Sequence, residues 1–334
     1  MSNFREDGPG YPVTEATRVD KVSPESRIFG KLRALIVVVI AVIMLIPVFV
    51  MLMTAFKARS DIVSSPPTVV FEPSLEGFVF LFTERAVVAK ARQEEFKAAA
   101  ETGELSLVDR VAFEAGQQVT GPSDYVDRLK NSFIIAGLST IFSVGLGLFA
   151  AYAFSRFDVL GKDDLLFFIL STRMLPAVVV TIPLFLMFRQ LSLNDTHLGM
   201  ILLYTVFNLS LAVWLLKGFI DEIPIEYEEA ALVDGYSRWQ TFYKIVLPQA
   251  ITGIAATTVF SLIFAWNEYA FALMLTSDNA RTAPPSIATM LGRGGIEWSA
   301  IAAGSLGFLI PVVIIVFALR NYLLRGVTFG AVRK

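Results

Sequence analysis

The stretch that decides the fold runs from Glu229-Ala230-Ala231 through Asp234-Gly235 to Ile245-Val246-Leu247-Pro248. It reads E-A-A, three residues, G, nine residues, then I-x-L-P, and it lies between two long apolar segments. The part from Asp221 to Gly235 is too polar to cross a hydrocarbon core. The stretch therefore predicts a polar loop at a membrane surface, flanked by segments that cross the bilayer.

The first half of this loop has the signals of a short helix. Pro224 suits a first helical turn, and Gly235 suits the position just past the last turn. Glu226, Glu228 and Glu229 fall in the first turns, where the helix dipole favours negative charge. The sequence predicts a helix that begins near Pro224 and ends before Gly235.

The same segment also has an apolar periodicity. Ile223, Tyr227, Ala230 and Ala231 recur at three-to-four spacing, which predicts that they share one helix face. An acidic helix is poorly suited to an anionic lipid surface, which attracts lysine and arginine. We therefore expect a protein groove as its partner, rather than lipid headgroups.

The composition of the chain excludes several classes of protein. Of 334 residues, 55% are hydrophobic and only 17% are charged, whereas soluble domains carry about 25% charged residues. Cysteine is absent and His197 is the only histidine, which rules out disulfides and leaves no basis for a thiolate or histidine metal centre. The net charge of −2 gives no indication of a nucleic-acid partner.

Apolar segments of the right length point to a helical membrane protein. Each is close to the ~20 residues that a helix needs to cross the hydrocarbon core, and each is far longer than a barrel strand. The six segments span about residues 32–54, 132–154, 165–188, 198–216, 250–275 and 300–324.

Short basic loops indicate how these segments are oriented. Lysine and arginine are concentrated before the first, after the second, after the fourth and after the sixth segment. The positive-inside bias places both termini and the loop at 217–249 in the cytoplasm. The predicted organisation is a disordered cytoplasmic tail at 1–29, a first membrane helix at 30–56, a periplasmic loop at 57–130 and a five-helix core at 131–334.

The loop at 57–130 contains a helical insertion. Strong helix formers fill the stretch from Glu84 to Glu104, and Thr102-Gly103 predicts its end. Ser106 with Asp109 is a capping pattern for a second helix that runs to about Gln118. The insertion either shields the bundle or serves as a docking surface for a periplasmic binding protein, and the sequence leaves both open.

Taken together, these patterns resemble a known family. The loop motif matches the coupling motif of permease subunits of bacterial ABC importers. Further stretches resemble the carbohydrate-uptake, maltose-transporter branch: Arg173-Met174-Leu175-Pro176, Thr196-His197-Leu198-Gly199, Trp266-Asn267-Glu268 and the tail from Leu324 to Val332. The resemblance implies an all-α polytopic protein of the type I permease fold, with six transmembrane helices, a cytoplasmic coupling helix and a helical periplasmic insertion.

The resemblance also implies partners and a role for the loop. A separate ABC ATPase would bind ATP and Mg²⁺, because the chain has no G-x-x-x-x-G-K-[ST] phosphate loop and binds no cofactor of its own. The other implied partners are a homologous second permease, a periplasmic substrate-binding protein, a small-molecule carbohydrate and the lipid of the bacterial inner membrane. Coupling to the ATPase would fall on Glu229, Ala230, Ala231, Asp234, Gly235, Ile245, Leu247 and Pro248.

Polar residues inside the apolar segments are candidates for a substrate path. A charge within a membrane is costly and usually faces a cavity or a partner. The candidates are Arg173, Tyr204, Asn208, Trp266, Asn267 and Glu268. The alternative is structural: Arg173 pairs with Glu268, and Asn208 bonds a neighbouring helix.

Small residues and the lone histidine have structural interpretations. Small side chains repeat every four positions and predict close-packing helix faces. His197 is expected to act as a capping or interface residue. The two repeats are Ser139, Ser143, Gly147, Ala151 and Gly253, Thr257, Ser261, Ala265.

Two function classes compete at this point. The first is the permease half of an ATP-driven carbohydrate importer, which is a transport subunit and not an enzyme. The second is a secondary transporter driven by an ion gradient, which usually shows inverted repeats and ionisable relays. The sequence shows no convincing internal repeat, and a membrane scaffold would leave the loop motif unexplained.

Overall fold

The computed structural model describes residues 24–66, 68, 70–89, 93–103, 105–292 and 295–329. The chain divides into two units, Met1–Val50 and Met51–Lys334. The first unit contains most of helix α1, Pro24–Ala55. Residues 24–29, expected in the disordered tail, are therefore helical, and residues 1–23 lie outside the described part.

Long apolar helices dominate both units. Four described helices are long and apolar enough to cross a membrane: Gly30–Ala55 within α1, α6 (Tyr125–Arg156), α9 (His197–Asp221) and Trp298–Arg320 within the last helix. Two sharply bent helix pairs bring the number to six if each pair is one span. The six-span prediction is confirmed, but its third and fifth spans are not single helices.

The third span is broken near Pro176. Helix α7 (Lys162–Ser171) leads into a 3₁₀ turn at Thr172–Met174, and α8 (Ala177–Gln190) follows. The two halves are bent by 94°. Proline has no N–H and pushes the preceding residue out of the helical region, and Leu175 is indeed extended at ψ 124°. Arg173 therefore lies at a helix break, and not in mid-helix.

The insertion differs from the sequence prediction at its edges. Strand β1 (Thr83–Val87) pairs antiparallel with β2 (Gln117–Pro122). Between them lie α4 (Gln93–Thr102) and α5 (Leu107–Glu114). Residues 84–87 and 117–118 were predicted as helix, which is wrong because pairing with a distant strand overrides local propensity. The insertion thus adds a short two-stranded sheet to the all-α permease fold.

The predicted helix boundaries inside the insertion hold. Helix α4 stops at Thr102, and Gly103 has a φ of +74°. The Ser106 hydroxyl accepts the N–H of Asp109 at 3.1 Å and caps α5. Turn and cap chemistry depend only on neighbouring residues, so the sequence predicts them well.

The centre of the bundle is the long contact between α6 and α9. The small residues Ser139, Ser143, Gly147 and Ala151 on α6 are all buried. A Cβ built on Gly147 would lie 2.7 Å from the Cβ of Ala212 on α9. The predicted small-residue face is therefore a packing surface within this chain.

We expect Gly147→Val to destabilise the bundle. Its Cβ would overlap Ala212, and overpacking of this kind costs about 1–3 kcal/mol. The matched control is Gly145→Val on the same helix, because a Cβ there meets nothing within 4 Å. Thermal unfolding in detergent should show a lower Tm for the first variant only. Equal Tm values would contradict the assigned packing.

Several short elements complete the chain. Helices α2 (Arg59–Ile62) and α3 (Glu76–Phe82) lie between α1 and β1. Helices α10 (Glu226–Val233), α11 (Arg238–Thr241), α12 (Leu247–Gln249) and α13 (Ile251–Trp266) follow α9. They are succeeded by α14 (Ala270–Leu275), α15 (Ala283–Ala288), strands β3 (Leu291–Gly292) and β4 (Gly295–Ile296), and α16 (Trp298–Phe329).

The loop before α9 is fixed to the segment after α14 by Asp195. Its carboxylate accepts four backbone N–H groups, those of residues 277–280, at 3.0–3.2 Å. Partial burial raises the pKa of Asp195, but these N–H donors outweigh burial and leave the pKa below its ordinary value. The ionised carboxylate thus holds two loops together.

His197 forms a helix–helix contact next to the hydrogen bonds of Asp195. Its Nε2 lies 2.8 Å from Oδ1 of Asn131 on α6, while Thr196 caps the helix through the N–H of Gly199. The Asn131 amide donates to the carbonyls of Asn279 and Arg281. His197 is therefore an interface residue, as the sequence suggested.

Candidate functional site

The predicted coupling helix is α10, and its C-terminal end depends on Gly235. The N–H of Tyr236 donates to Ala231 O at 3.0 Å, and the N–H of Gly235 donates to Leu232 O at 3.1 Å. This pair of bonds is a Schellman motif, which needs a left-handed residue. Gly235 supplies it with a φ of +89°. At the other end, Pro224 precedes the first helical residue by two positions, so it lies just outside the helix.

The chain returns to the bundle through a second compact turn. Ser237 and Gln240 form a reciprocal capping box that starts α11. A π-helical segment, Phe242–Val246, then leads into α12. Pro248 lies in the first turn of α12, where its missing N–H has no helical partner to lose. The path from residues 238–249 into α13 bends by 72°.

The predicted coupling residues fall mostly on the surface of the loop. Glu229, Ala230, Asp234, Gly235 and Pro248 are exposed. Ala231 is buried, and Ile245 and Leu247 are half-buried. The structure thus leaves Glu229, Ala230, Asp234 and Gly235 open to a partner, but not Ala231.

The apolar face predicted for this helix is only partly correct. Ile223 and Ala231 are buried as expected, but Tyr227 is 55% exposed and Ala230 is also exposed. The inward position is instead taken by Glu228, which is 2% exposed. An ion pair that Glu228 forms at the start of the helix determines which side faces inward. The spacing of apolar residues carries no information about such a pair.

Glu228 makes inward contacts that the sequence analysis did not predict. Its Oε1 accepts a hydrogen bond from Nε of Arg156 at 2.5 Å, and its Oε2 accepts one from the Tyr152 hydroxyl at 2.8 Å. Both partners belong to the last turns of α6. The sequence contained one signal for the inward position of Glu228. Ala231 follows it by three residues, which places both on the same helix face.

Large apolar side chains surround the acidic positions on the outside of the loop. They are Ile225, Tyr227, Val233, Trp239 and Tyr243, which are between 47% and 87% exposed. Exposed aromatic and aliphatic groups beside charged ones are typical of protein contact surfaces. The loop thus has the composition of a docking surface.

A second candidate site is a cavity of about 120 Å³ within the bundle. It brings together four of the six predicted path residues, Arg173, Tyr204, Asn208 and Glu268. The rest of its wall is Phe207, Phe264, Ala265 and Phe271. Arg173 lies at the break between α7 and α8, and Glu268 lies at the break between α13 and α14. Broken helices at a polar cavity are a recurrent construction in membrane transporters.

Three of the four polar side chains are also bonded to the bundle. The Tyr204 hydroxyl donates to Oε2 of Glu268 at 2.7 Å. The Glu268 carboxylate accepts the N–H groups of Phe271 and Ala272 at 2.9 and 3.1 Å, which satisfies the start of α14. Asn208 donates to Ser261 O at 3.2 Å on α13, so it does bond a neighbouring helix.

Arg173 is different, because its charge is not neutralised. Its guanidinium carbon lies 4.3 Å from the ring centroid of Phe264. Within the described residues, Nη1 is buried without a hydrogen-bond partner, and no ion pair joins Arg173 to Glu268. The structural pairing considered for these two residues is therefore absent from this conformation. A buried, unsatisfied donor at a cavity wall is unusual in native proteins.

Trp266 and Asn267 do not line this cavity. Trp266 is 2% exposed, stacks on Phe308 with centroids 4.8 Å apart, and donates to Phe308 O. Asn267 is exposed and donates to Ile263 O in the preceding helical turn. Helix α13 ends at Trp266, so the chain changes direction between these residues and Glu268.

With this geometry described, comparison with known proteins identifies the family. Residues 143–329 match the family of binding-protein-dependent transport system inner membrane components, over more than half of the chain. This chain belongs to that family. It is a permease subunit of an ABC importer, embedded in the inner membrane, and it is a transport subunit rather than an enzyme.

Individual relatives align with this chain over more residues than the family match covers. A probable ABC transporter permease of Sinorhizobium fredii is 31% identical over 295 residues, which is 88% of this chain and 92% of that protein. A trehalose transport system permease of Mycobacterium tuberculosis is 38% identical over 208 residues, 61% of this chain and 76% of its own length.

The fold is shared with a solved structure. A chain of a bacterial ABC transporter involved in the import of the polysaccharide alginate superposes with a TM-score of 0.61. It covers 90% of this chain and 98% of its own length at 19% identity. This likeness confirms the type I permease fold. The family match confirms ATP-driven import and excludes the secondary-transporter alternative.

Proposed function

We propose that this permease imports a sugar, a polyol or a related carbohydrate. The trehalose permease that it resembles supports this class. The cavity offers the two things that a carbohydrate needs, hydrogen-bonding groups for hydroxyls and aromatic faces for the ring. The cavity holds only part of such a substrate, so the path is completed by a homologous second permease.

The observation that carries the energy-coupling role is the exposure of α10. The helix presents Glu229, Ala230 and Asp234 outward, while Glu228 fixes it from within. Its acidic, small-residue face fits a basic groove on an ABC ATPase, with Gly235 permitting the turn. Ile245, Leu247 and Pro248 shape the return of the loop into the bundle.

The remaining parts of the assembly follow from this arrangement. The partner ATPase binds ATP and Mg²⁺, and this chain binds neither. Both termini and the loop at 217–249 lie in the cytoplasm, as the distribution of basic residues indicates. A periplasmic binding protein delivers substrate, and ATP-driven closure of the ATPase alternates the cavity between the two sides.

Reconstitution in liposomes tests the proposal. The chain is combined with a second permease, an ATPase and a binding protein from the same organism. Uptake of the carbohydrate that stabilises the binding protein should require ATP and should survive collapse of ion gradients. Glu229→Lys should abolish uptake, because a like charge at an interface costs several kcal/mol.

The matched control is Asp163→Lys in the first turn of α7. It makes the same change of charge at an exposed site away from the loop, on the predicted cytoplasmic side. Uptake should stay near the wild-type level. Normal uptake by Glu229→Lys would remove the proposed coupling surface, and a binding protein that responds only to non-carbohydrates would remove the substrate class.

A further inference from the structure

Arg156 makes an unusual set of contacts at the end of α6. Besides Glu228, its Nη2 donates to the carbonyls of Ile220 and Ile223 at 2.9 and 2.8 Å. Nη1 donates to Ser155 Oγ at 2.9 Å. The side chains of Arg156 and Glu228 are only 7% and 2% exposed. All three guanidinium nitrogens are thus used in a nearly dry environment.

These contacts join three helices at one point. Arg156 ends α6, Ile220 lies in the last turn of α9, and Glu228 lies in the first turn of α10. The fork of a guanidinium fixes direction as well as distance, which a lysine cannot do. Because α6 and α9 pack closely along their length, the base of α10 is tied to the central pair of the bundle.

The other end of the loop is attached differently. Phe242 packs against Tyr152 and Phe149, with ring centroids 4.8 and 5.7 Å apart. The segment is π-helical and leads into the 72° bend before α13. Ring contacts are less directional than a charged fork, and π-helical segments are frequent at functional sites. The α10 end of the loop is therefore fixed by directional hydrogen bonds. The π-helical end is held by ring contacts that tolerate small shifts.

We propose that Arg156 and Glu228 form the positioning pair that transmits movement of the coupling helix to α6 and α9. The π-helical segment absorbs the accompanying change at α13. Ion-pair geometry, and not only the presence of α10, then determines how much substrate moves per ATP. This inference rests on the proposed coupling role of α10 and assigns its mechanical link.

The test measures import per ATP in reconstituted complexes of Arg156→Lys and Glu228→Gln. Both keep similar side-chain volume but break the charged fork. The ATPase should still co-purify, while the ratio of imported substrate to hydrolysed ATP falls about 10-fold, the effect of one charge-assisted hydrogen bond. The matched control is Lys130→Gln, which removes an ion pair to Asp127 at 2.7 Å at the opposite end of α6. Its ratio should remain unchanged.

Two results would overturn the inference. One is an unchanged ratio in assembled complexes of both variants. The other is loss of ATPase binding in step with import, which would make the pair a docking determinant only. Failure of the wild-type chain to bind any ATPase would instead refute the proposed coupling surface.

A rescue experiment distinguishes transmission from local folding. The chain has no native cysteine, so Arg156→Cys with Glu228→Cys can be bridged by a short bifunctional thiol reagent. Bridging should restore import per ATP, and a cleavable bridge should lose it again on reduction. No recovery with a bridge formed in full would contradict a mechanical role.

Discussion

Gly235→Val is expected to lower ATP-driven import about 10-fold while leaving the protein inserted in the membrane, since about 1.4 kcal/mol at the coupling loop corresponds to that factor. The φ of Gly235 is +89°, a conformation that a β-branched residue does not adopt without strain. Such strain costs about 1–3 kcal/mol. A Cβ at this position meets nothing within 4 Å, so the effect comes from backbone conformation alone.

Relief of that strain would rearrange the end of α10. The bonds from Tyr236 to Ala231 and from Gly235 to Leu232 would be lost, and the exposed face beside them would move. Gly235→Asn is the matched control, because asparagine tolerates the left-handed region. Import, ATP hydrolysis and membrane abundance are measured for both. If valine and asparagine behave alike, the turn geometry has no part in coupling.

Arg173→Ala is expected to reduce uptake about 10- to 100-fold at limiting substrate, because a hydrogen bond to a charged group contributes about 1.5–3 kcal/mol. The expected effect on stability is small. Nη1 of Arg173 has no partner within the described residues, so alanine breaks no hydrogen bond of that atom. A purely structural arginine would show the opposite pattern.

The control for this prediction is Asn267→Ala. Asn267 is a neighbour of Glu268 in sequence, but it is exposed and bonds only its own helical turn. Uptake should be close to normal in this variant. Uptake by Arg173→Ala equal to wild type, or a large drop in Tm with uptake, would contradict a substrate role. Replacing Glu268 is a less clear test, because its removal would also leave the Tyr204 hydroxyl without its hydrogen-bond acceptor.

Membrane spans were predicted correctly where one uninterrupted apolar segment is long enough to cross the bilayer. The α6, α9 and α16 segments exceed the length that a bilayer requires, and length is readable from composition alone. The breaks at Leu175-Pro176 and after Trp266 were not predicted, because the apolar segments predicted at 165–188 and 250–275 continue through both positions. Only packing of the half-helices decides whether a proline kinks a span or divides it.

The two candidate sites differ in what the sequence could show. The coupling loop is continuous, so its motif, acidic turns and glycine cap were all visible. The cavity assembles Arg173 from the break between α7 and α8, Tyr204 and Asn208 from α9, and Glu268 from the break between α13 and α14. The first three lie 60 to 95 positions before Glu268 in sequence, and Trp266 and Asn267 could not be separated from Glu268 by position alone.

The sequence by itself determined the family, the membrane class, the helix ends at Ser106 and Gly235, and the place of the coupling loop. These depend on residue type and on contacts within a few residues. The tertiary structure decided that Glu228 and not Tyr227 faces inward and that Arg156 joins three helices. It also decided that Nη1 of Arg173 has no hydrogen-bond partner among the described residues at a cavity wall. Those features depend on charged residues that are far apart in sequence. Arg156 and Glu228, for example, are 72 positions apart. No local sequence pattern encodes a contact between residues at that separation.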